Sequence, residues 1–442
     1  MSRLVQRIIA ESCLLVIMTA GFVHAVPPVV DRPATPADGS SSGSGPAALL
    51  QWATALSSQQ FAVRQHATRE LLKAKQAAIP VLTEAAYSQH SETIWRSIRI
   101  LEQMACDVHD VQLRVAALEA LRQMETASDL RTRRRSTTAV KHHSIWRQGR
   151  ARLMISRWGG SIHSYRTGNQ QSLRVRLDKT WKGGDDGLSE LLFLGPINWM
   201  SMETAPVTDE ALQHIQSLVN LERLYLGQTR ITGKGLPHLK NLKNLRHLSL
   251  RYLDIHDQTL QHLVHVPQLD SLGLDDTAIT DEGLAHLRHL SKLEQLWLDR
   301  TKITAAGLIH LRALPALSRL NLVQTQAGGE GLAELRHLPS LKYLTLKGVA
   351  LTDTGFRELS KLHQLETLGL DSTPLQDHQL QHIVPLQNLQ TLWLSHSKIT
   401  DKGLRQLESM KQLRRVYVQG LDVSEETTDW FKKTLPKCRL YR

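Results

Sequence analysis

The chain has 442 residues, 41% of them hydrophobic, and a formal net charge of +12. That apolar share excludes an intrinsically disordered chain, and its three cysteines are too few and too scattered for a disulfide framework. The positive balance favours acidic partners or anionic surfaces and says nothing sharper.

Arg3 and Arg7 precede the apolar run Cys13 to Val23, which ends in V-H-A at Ala25. This is the order of a secretory signal peptide, so residues 1–25 predict export to the periplasm, the cell envelope or the medium, with the segment cleaved or kept as an anchor. The run is short for a transmembrane helix, and no second apolar stretch is long enough to span a bilayer. Residues 26–46 are rich in Pro, Ser and Gly and predict a flexible tether.

Residues 47–128 carry apolar side chains at helical spacing, in F-A-V-R-Q-H-A-T-R-E-L-L from Phe61, T-I-W-R-S-I-R-I-L from Thr93 and V-Q-L-R-V-A-A-L-E-A-L from Val111. Pro80 fits a first helical turn, where its missing N–H would be unpaired anyway. This segment resembles paired-helix HEAT-like repeats. Its Trp and Leu stripes are read as packing, not as a cofactor site. Residues 129–172 are read as a basic connector and N-terminal cap. Arg131 to Arg157 holds nine Arg and Lys residues and no acid. The expectation there is a loop, then a helix over 145–156, then a strand or hairpin over 161–177.

From residue 173 to 426 the chain repeats itself. Leu221, Leu245, Leu269, Leu293, Leu317, Leu341, Leu365, Leu389 and Leu413 recur at a strict 24-residue period, the signature of a solenoid. In one unit, Leu296 and Leu298 alternate with Gln295, Trp297 and Asp299, which predicts a short strand with one buried face. Leu308, Leu311 and Leu314 follow at three-residue spacing and predict a short helix, with Thr304 suited to its N-cap. Residues 427–442 depart from the repeat and are read as a C-terminal cap, which solenoids need because an end unit exposes a cut core.

The form T-x-I-T-D-x-G-L-x-x-L-x-x-L resembles leucine-rich repeats of the type found in bacterial proteins and in the eukaryotic F-box-associated family. The resemblance implies an α/β fold: a leucine-rich-repeat solenoid with parallel strands on its concave side and short helices on its convex side, preceded by the α-helical HEAT-like region. No F-box-like segment is evident, so the resemblance implies fold and not ubiquitin-ligase work.

Residues between and just after the strand leucines have no packing duty in the core. Their large members are Trp199, Arg223, Tyr225, His247, Arg251, Tyr252, Trp297, Arg300, Arg319, Tyr343, Trp393 and Tyr417. Asp275, Asp276, Asp299 and Asp371 are the acidic members, and Gly273 and Gly369 intervene. Trp, Tyr and Arg dominate protein interfaces, so this face is the candidate binding site; simple cross-strand stacking of Trp297 and Trp393 is the plainer alternative.

Three further patterns receive plainer readings. His214, His238, His262, His286, His310 and His382 form one column, with His265, His289 and His337 beside it. The i,i+3 pairs could chelate a metal, but a duplicated repeat on a solvated convex face explains them, and no metal or other cofactor is expected. The aspartates of T-D-x-G-L (Asp281, Asp353, Asp401) are read as helix-start charges. Thr229, Thr277, Thr301, Thr325 and Thr373 are read as a turn-stabilising ladder.

No G-x-S-x-G, H-E-x-x-H, C-x-x-C or Walker-type glycine loop is present, and T-G-K-G-L near Lys234 fills an ordinary repeat slot. The expectation is a non-catalytic, exported scaffold that binds a protein partner on its strand face. Recognition of an envelope polysaccharide or other anionic polymer is the first alternative, with Arg131 to Arg157 holding the charges. A self-associating structural spacer is the second. Nucleic acid is not an expected partner of an exported chain.

Overall fold

The computed structural model describes residues 45–107, 110–167 and 170–442. The signal segment and nearly all of the tether expected from the sequence lie outside the described residues. The described residues divide into two compact units, one ending at Ala151 and the other spanning Arg152–Arg442.

The first unit is helical. Helices Pro46–Ala55, Phe61–Lys73, Ile79–Ala85, Ser91–Ala105 and Val111–Gln123 pack around Leu56, Leu71, Leu82, Ile94, Leu101 and Leu121, all fully buried. Pro80 stands in the first turn of its helix, where no N–H is missed.

The basic stretch differs from its expected form. Instead of a loop and a short helix, one helix of 28 residues runs from Leu130 to Arg157. Its buried positions are Thr132, Ser136, Ala139, His143, Arg147, Ala151 and Ile155. They recur at three- and four-residue intervals, so the helical stripe is real, but it is written in small and polar residues and an apolar period does not reveal it. Asp129 accepts the Thr132 N–H at 2.8 Å and caps the start. The buried Thr132 hydroxyl donates to the Ala86 carbonyl at 2.7 Å and pins the helix to the preceding bundle.

The second unit is a 13-stranded sheet in strict chain order, β1 to β13. β1 (Ser161–Thr167) and β2 (Gln170–Arg176) form an antiparallel hairpin. β3 (Ile197–Ser201) pairs parallel to β2 with a register shift between Leu173 and Arg174, which absorbs the irregular first coil. From there three-residue strands follow every 24 residues: β4 (Arg223–Tyr225), β5 (His247–Ser249), β6 (Ser271–Gly273), β7 (Gln295–Trp297), β8 (Arg319–Asn321), β9 (Tyr343–Thr345), β10 (Thr367–Gly369), β11 (Thr391–Trp393), β12 (Arg415–Tyr417) and β13 (Arg439–Tyr441). The sheet with its helical returns is a leucine-rich-repeat solenoid. All nine period-defining leucines from Leu221 to Leu413 are 0% exposed and form one continuous spine.

The convex returns are mostly 3-10 helix, as in Ala306–Ala313 and Glu330–His337, where the sequence predicts short helices. The leucine spacing of three matches a helix with three residues per turn, so Leu308 and Leu311 fall on one buried line. The final segment keeps the period. Helix Glu425–Thr434 buries Phe431, and β13 then continues the sheet with Arg439 in register with Arg415.

Successive coils are stitched by carboxylates. Asp281 accepts the Thr304 N–H at 2.8 Å and the Thr304 hydroxyl at 2.5 Å in the next coil. Asp185 does the same to Thr208, Asp257 to Thr280 and Asp377 to Thr400. The aspartate of T-D-x-G-L is therefore an inter-coil bridge rather than only a helix-start charge. The recurrent threonines act within one coil: Thr277, Thr301, Thr325 and Thr373 each donate to the carbonyl three residues back, at 2.6–2.8 Å. They close turns singly and form no ladder between coils.

Candidate functional site

Parallel register converts sequence spacing into columns. Alternate strand residues point away from the leucine core, and partners in adjacent strands lie about 4.8 Å apart. One outward column reads Trp199, Arg223, His247, Ser271, Gln295, Arg319, Tyr343, Thr367, Thr391, Arg415 and Arg439. The other reads Ser201, Tyr225, Ser249, Gly273, Trp297, Asn321, Thr345, Gly369, Trp393, Tyr417 and Tyr441. No Asp or Glu occupies either column among the described residues. The strand face is thus polar, aromatic and basic.

Two aromatic groups form on it. At one end Trp199 lies 5.5 Å from Tyr225. At the other, Arg319 sits 4.2 Å over the Tyr343 ring, Tyr343 meets Trp393 at 5.8 Å, Trp393 meets Tyr417 at 5.7 Å, and Tyr417 stacks on Tyr441 at 4.6 Å. The Tyr343–Trp393 contact passes over Gly369, where a side chain would crowd the Trp393 ring. Stacking therefore accounts for Trp393. Trp297 differs: its column neighbours are Gly273 and Asn321, and among the described residues it makes no ring–ring contact. Burial raises the Tyr343 phenol above its ordinary range.

Between the aromatic groups lies a charged network. Arg300 grips Asp276 through Nε at 2.6 Å and Nη2 at 2.5 Å, and Nη2 also reaches the Tyr252 hydroxyl at 3.3 Å. Tyr252, Asp276 and Arg300 share one slot in successive coils, where the chain turns away from the strand with φ of 55–57°. This left-handed turn recurs at Gln228, Gln324, Gly348, Ser372, His396 and Gly420. It aims each side chain outward at the edge of the strand face.

The other carboxylates are not free for a ligand. Asp275 has no exposed side-chain surface; it accepts the Asp299 N–H at 3.0 Å and pairs with Arg251 Nε at 2.5 Å. Asp299 accepts the Val323 N–H at 3.0 Å, and Asp371 accepts the Ser395 N–H at 3.1 Å. Burial pushes the Asp275 and Asp299 carboxyls above the usual range, while the hydrogen-bonded Arg300 guanidinium holds Asp276 below it. Sequence placed these aspartates on the face; the structure turns Asp275, Asp299 and Asp371 to the next coil's backbone. His247 contacts Asp270 at 3.0 Å, and burial lowers its pKa.

Some face residues carry no signal in isolation. Arg174 opposes Trp199 across the register shift, and Arg415, Arg439 and Tyr441 complete the far end. The 24-residue period, extended into the final segment, locates Arg415, Arg439 and Tyr441, whereas Arg174 reaches the face through the register shift.

The histidine column falls on the helical returns, and no group of three or more His, Cys, Asp or Glu able to hold a metal ion occurs among the described residues. Burial pushes the Cys106 and Cys438 thiols up to about 11. No described helix is long and apolar enough to cross a membrane.

No family model and no curated protein matches this sequence. Among solved structures, the chain is similar to an internalin from Listeria monocytogenes, at 18% identity and TM-score 0.40, covering 61% of this chain and 86% of that one. It is similar to a leucine-rich-repeat protein of Leptospira interrogans, at 21% identity and TM-score 0.39, covering 57% and 80%. The mouse RP105/MD-1 complex gives 20% identity and TM-score 0.46, covering 57% of this chain and 44% of that one.

Proposed function

We propose that this chain is a non-catalytic scaffold that works outside the cytoplasm and binds a protein partner on its strand face. The observation that carries this reading is Trp297, a half-buried indole with no ring partner among the described residues, standing in strand columns of aromatic, arginine and polar side chains that hold no Asp or Glu. Such side chains supply large contact area at low entropy cost and are the usual anchors of interfaces. Export rests on the basic and apolar order of residues 1–25.

A photo-crosslinking residue placed at Trp297 tests the reading, with one at His286 on the helical returns as control. Adducts to a defined partner from the Trp297 position alone are expected. Equal labelling from both positions, or none from Trp297, would reject the strand face. Replacing Trp297 and Tyr343 together with alanine should weaken the same capture while the fold persists.

A second reading is retention on an anionic envelope polymer. Helix Leu130–Arg157 favours it, exposing Arg131, Arg133, Arg134 and Lys141 with no acid along its length. Salt-sensitive retention on isolated cell-wall material, lost when these four become glutamine, is its test.

A further inference from the structure

The N-terminal end of the strand face holds a cleft of about 300 Å³ walled by Tyr165, Arg174, Asn198, Trp199, Glu222 and Arg223. We propose that this cleft is a socket for a carboxylate side chain of an acidic peptide segment in the partner. The inference rests on the strand-face reading and names the chemistry at one end of it.

Register builds the socket. Arg174, Trp199 and Arg223 are partners in β2, β3 and β4, so two guanidinium groups flank one indole in a single column. Their stems stand about two strand spacings apart, roughly 10 Å. A carboxylate lying over Trp199 between them accepts charge-assisted hydrogen bonds from both sides. Arg174 is held over the Tyr165 ring at 4.5 Å, and the Tyr165 hydroxyl donates to the Asn198 side-chain oxygen. The hairpin β1–β2 thereby fixes one guanidinium before any ligand arrives, which lowers the ordering cost of binding.

Charge sets the ligand class. The cleft sets two guanidinium groups against the single carboxylate of Glu222, and neither outward column supplies another acid. A peptide is favoured over a sugar polymer because the cleft is a closed end beside Tyr225, not an open track: the hairpin bounds it on one side and the Trp199–Tyr225 pair continues it along the face. An acidic side chain fills the socket while its neighbours run along the columns.

The test uses the full chain and a fluorescein-labelled Glu-Glu-Phe-Glu-Glu peptide, with Gln-Gln-Phe-Gln-Gln as control, followed by anisotropy. The acidic peptide should bind and the amide control should not. Arg174→Gln and Arg223→Gln should each weaken binding about fivefold or more, with Arg174→Lys retaining most of it. Glu222→Gln should tighten binding about two- to fivefold by removing a like charge. Arg319→Gln, in β8 and outside the cleft, should leave it unchanged. Arg223 is exposed and outside the hairpin, so its variant reports even if Arg174→Gln disturbs folding. Equal binding of both peptides, or indifference to Arg223→Gln and Glu222→Gln, would overturn the proposal. So would polygalacturonate that binds through the same arginines as tightly as the peptide. Failure here with crosslinking at Trp297 intact removes the socket alone, whereas loss of the Trp297 adducts removes the strand-face reading.

Discussion

The carboxylate of Asp281 occupies the space where a side chain on Gly307 would begin. Gly283 stands in the same relation to Asp257, and Gly403 to Asp377. In these three coils the glycine is kept small by the preceding coil's carboxylate; its backbone angle imposes no such demand, since its φ is not positive. Gly307→Ala should displace Asp281 from Thr304 and cost about 2 kcal/mol, the loss of charge-assisted bonds in a partly buried site. Asp281→Ala should cost a similar amount, and the double variant little more than either single change. Urea midpoints of the three variants check this; simple additivity would show that the two residues act independently.

The left-handed slot predicts opposite outcomes for two neighbours. Gln324 and Gly348 occupy it in successive coils with φ of 55° and 70°. Gly348→Val should lose about 1–2 kcal/mol, because a β-branched residue is penalised there. Gln324→Gly should be neutral or stabilising by up to about 1 kcal/mol, despite glycine's entropy cost elsewhere. Thermal midpoints of both variants, measured side by side, decide the matter.

Acid should act on Asp275 and Asp276 with opposite signs. Burial raises Asp275, so the folded chain holds that proton longer; its contribution is full below the ordinary value of about 3.9 and is lost as pH rises toward the folded value. Arg300 lowers Asp276, whose contribution is present above about 3.9 and is lost as pH falls through the folded value. Asp275→Asn, which keeps an acceptor for the Asp299 N–H, should make stability fall less between about pH 4 and pH 7. Asp276→Asn should weaken the chain at neutral pH, and its deficit should shrink as pH falls below about 3.9. Denaturant titrations across that range supply the measurement, and identical slopes for all three proteins would contradict it.

The two outward tryptophans should separate binding from stability. Trp393 touches Tyr343 and Tyr417, so Trp393→Ala should cost about 1–3 kcal/mol from lost aromatic contacts and burial. Trp297→Ala, with no ring partner to lose, should cost about 0.5 kcal/mol or less. Calorimetry of the two variants gives the comparison.

The two described cysteines should be inert in the folded chain. With thiols pushed up to about 11, little thiolate exists at neutral pH. Iodoacetamide labelling at neutral pH should be slow for both and should accelerate on unfolding; fast native labelling of either would refute the burial effect.

The solenoid was readable because its signal is repetition. Leu221 to Leu413 fix the strand order and the register, and the register fixes which side chains share a column. The aromatic anchors Tyr343 and Trp393 follow from that directly. Three things were hidden. The helix from Leu130 buries Thr132, Ser136 and Arg147, a stripe without hydrophobic contrast. Asp275 looks like a face residue in sequence, and only the next coil's N–H shows why it turns inward. Arg174 belongs to the face through a register shift that no spacing rule anticipates.

The bridge from Asp281 to Thr304 divides one functional pair between two coils. The bridge forms only between coils, and any coil carrying both halves can serve whichever neighbours it meets. An array built this way can gain or lose whole 24-residue cassettes by recombination without leaving a half-made joint, so its length is free to change while its fold is not.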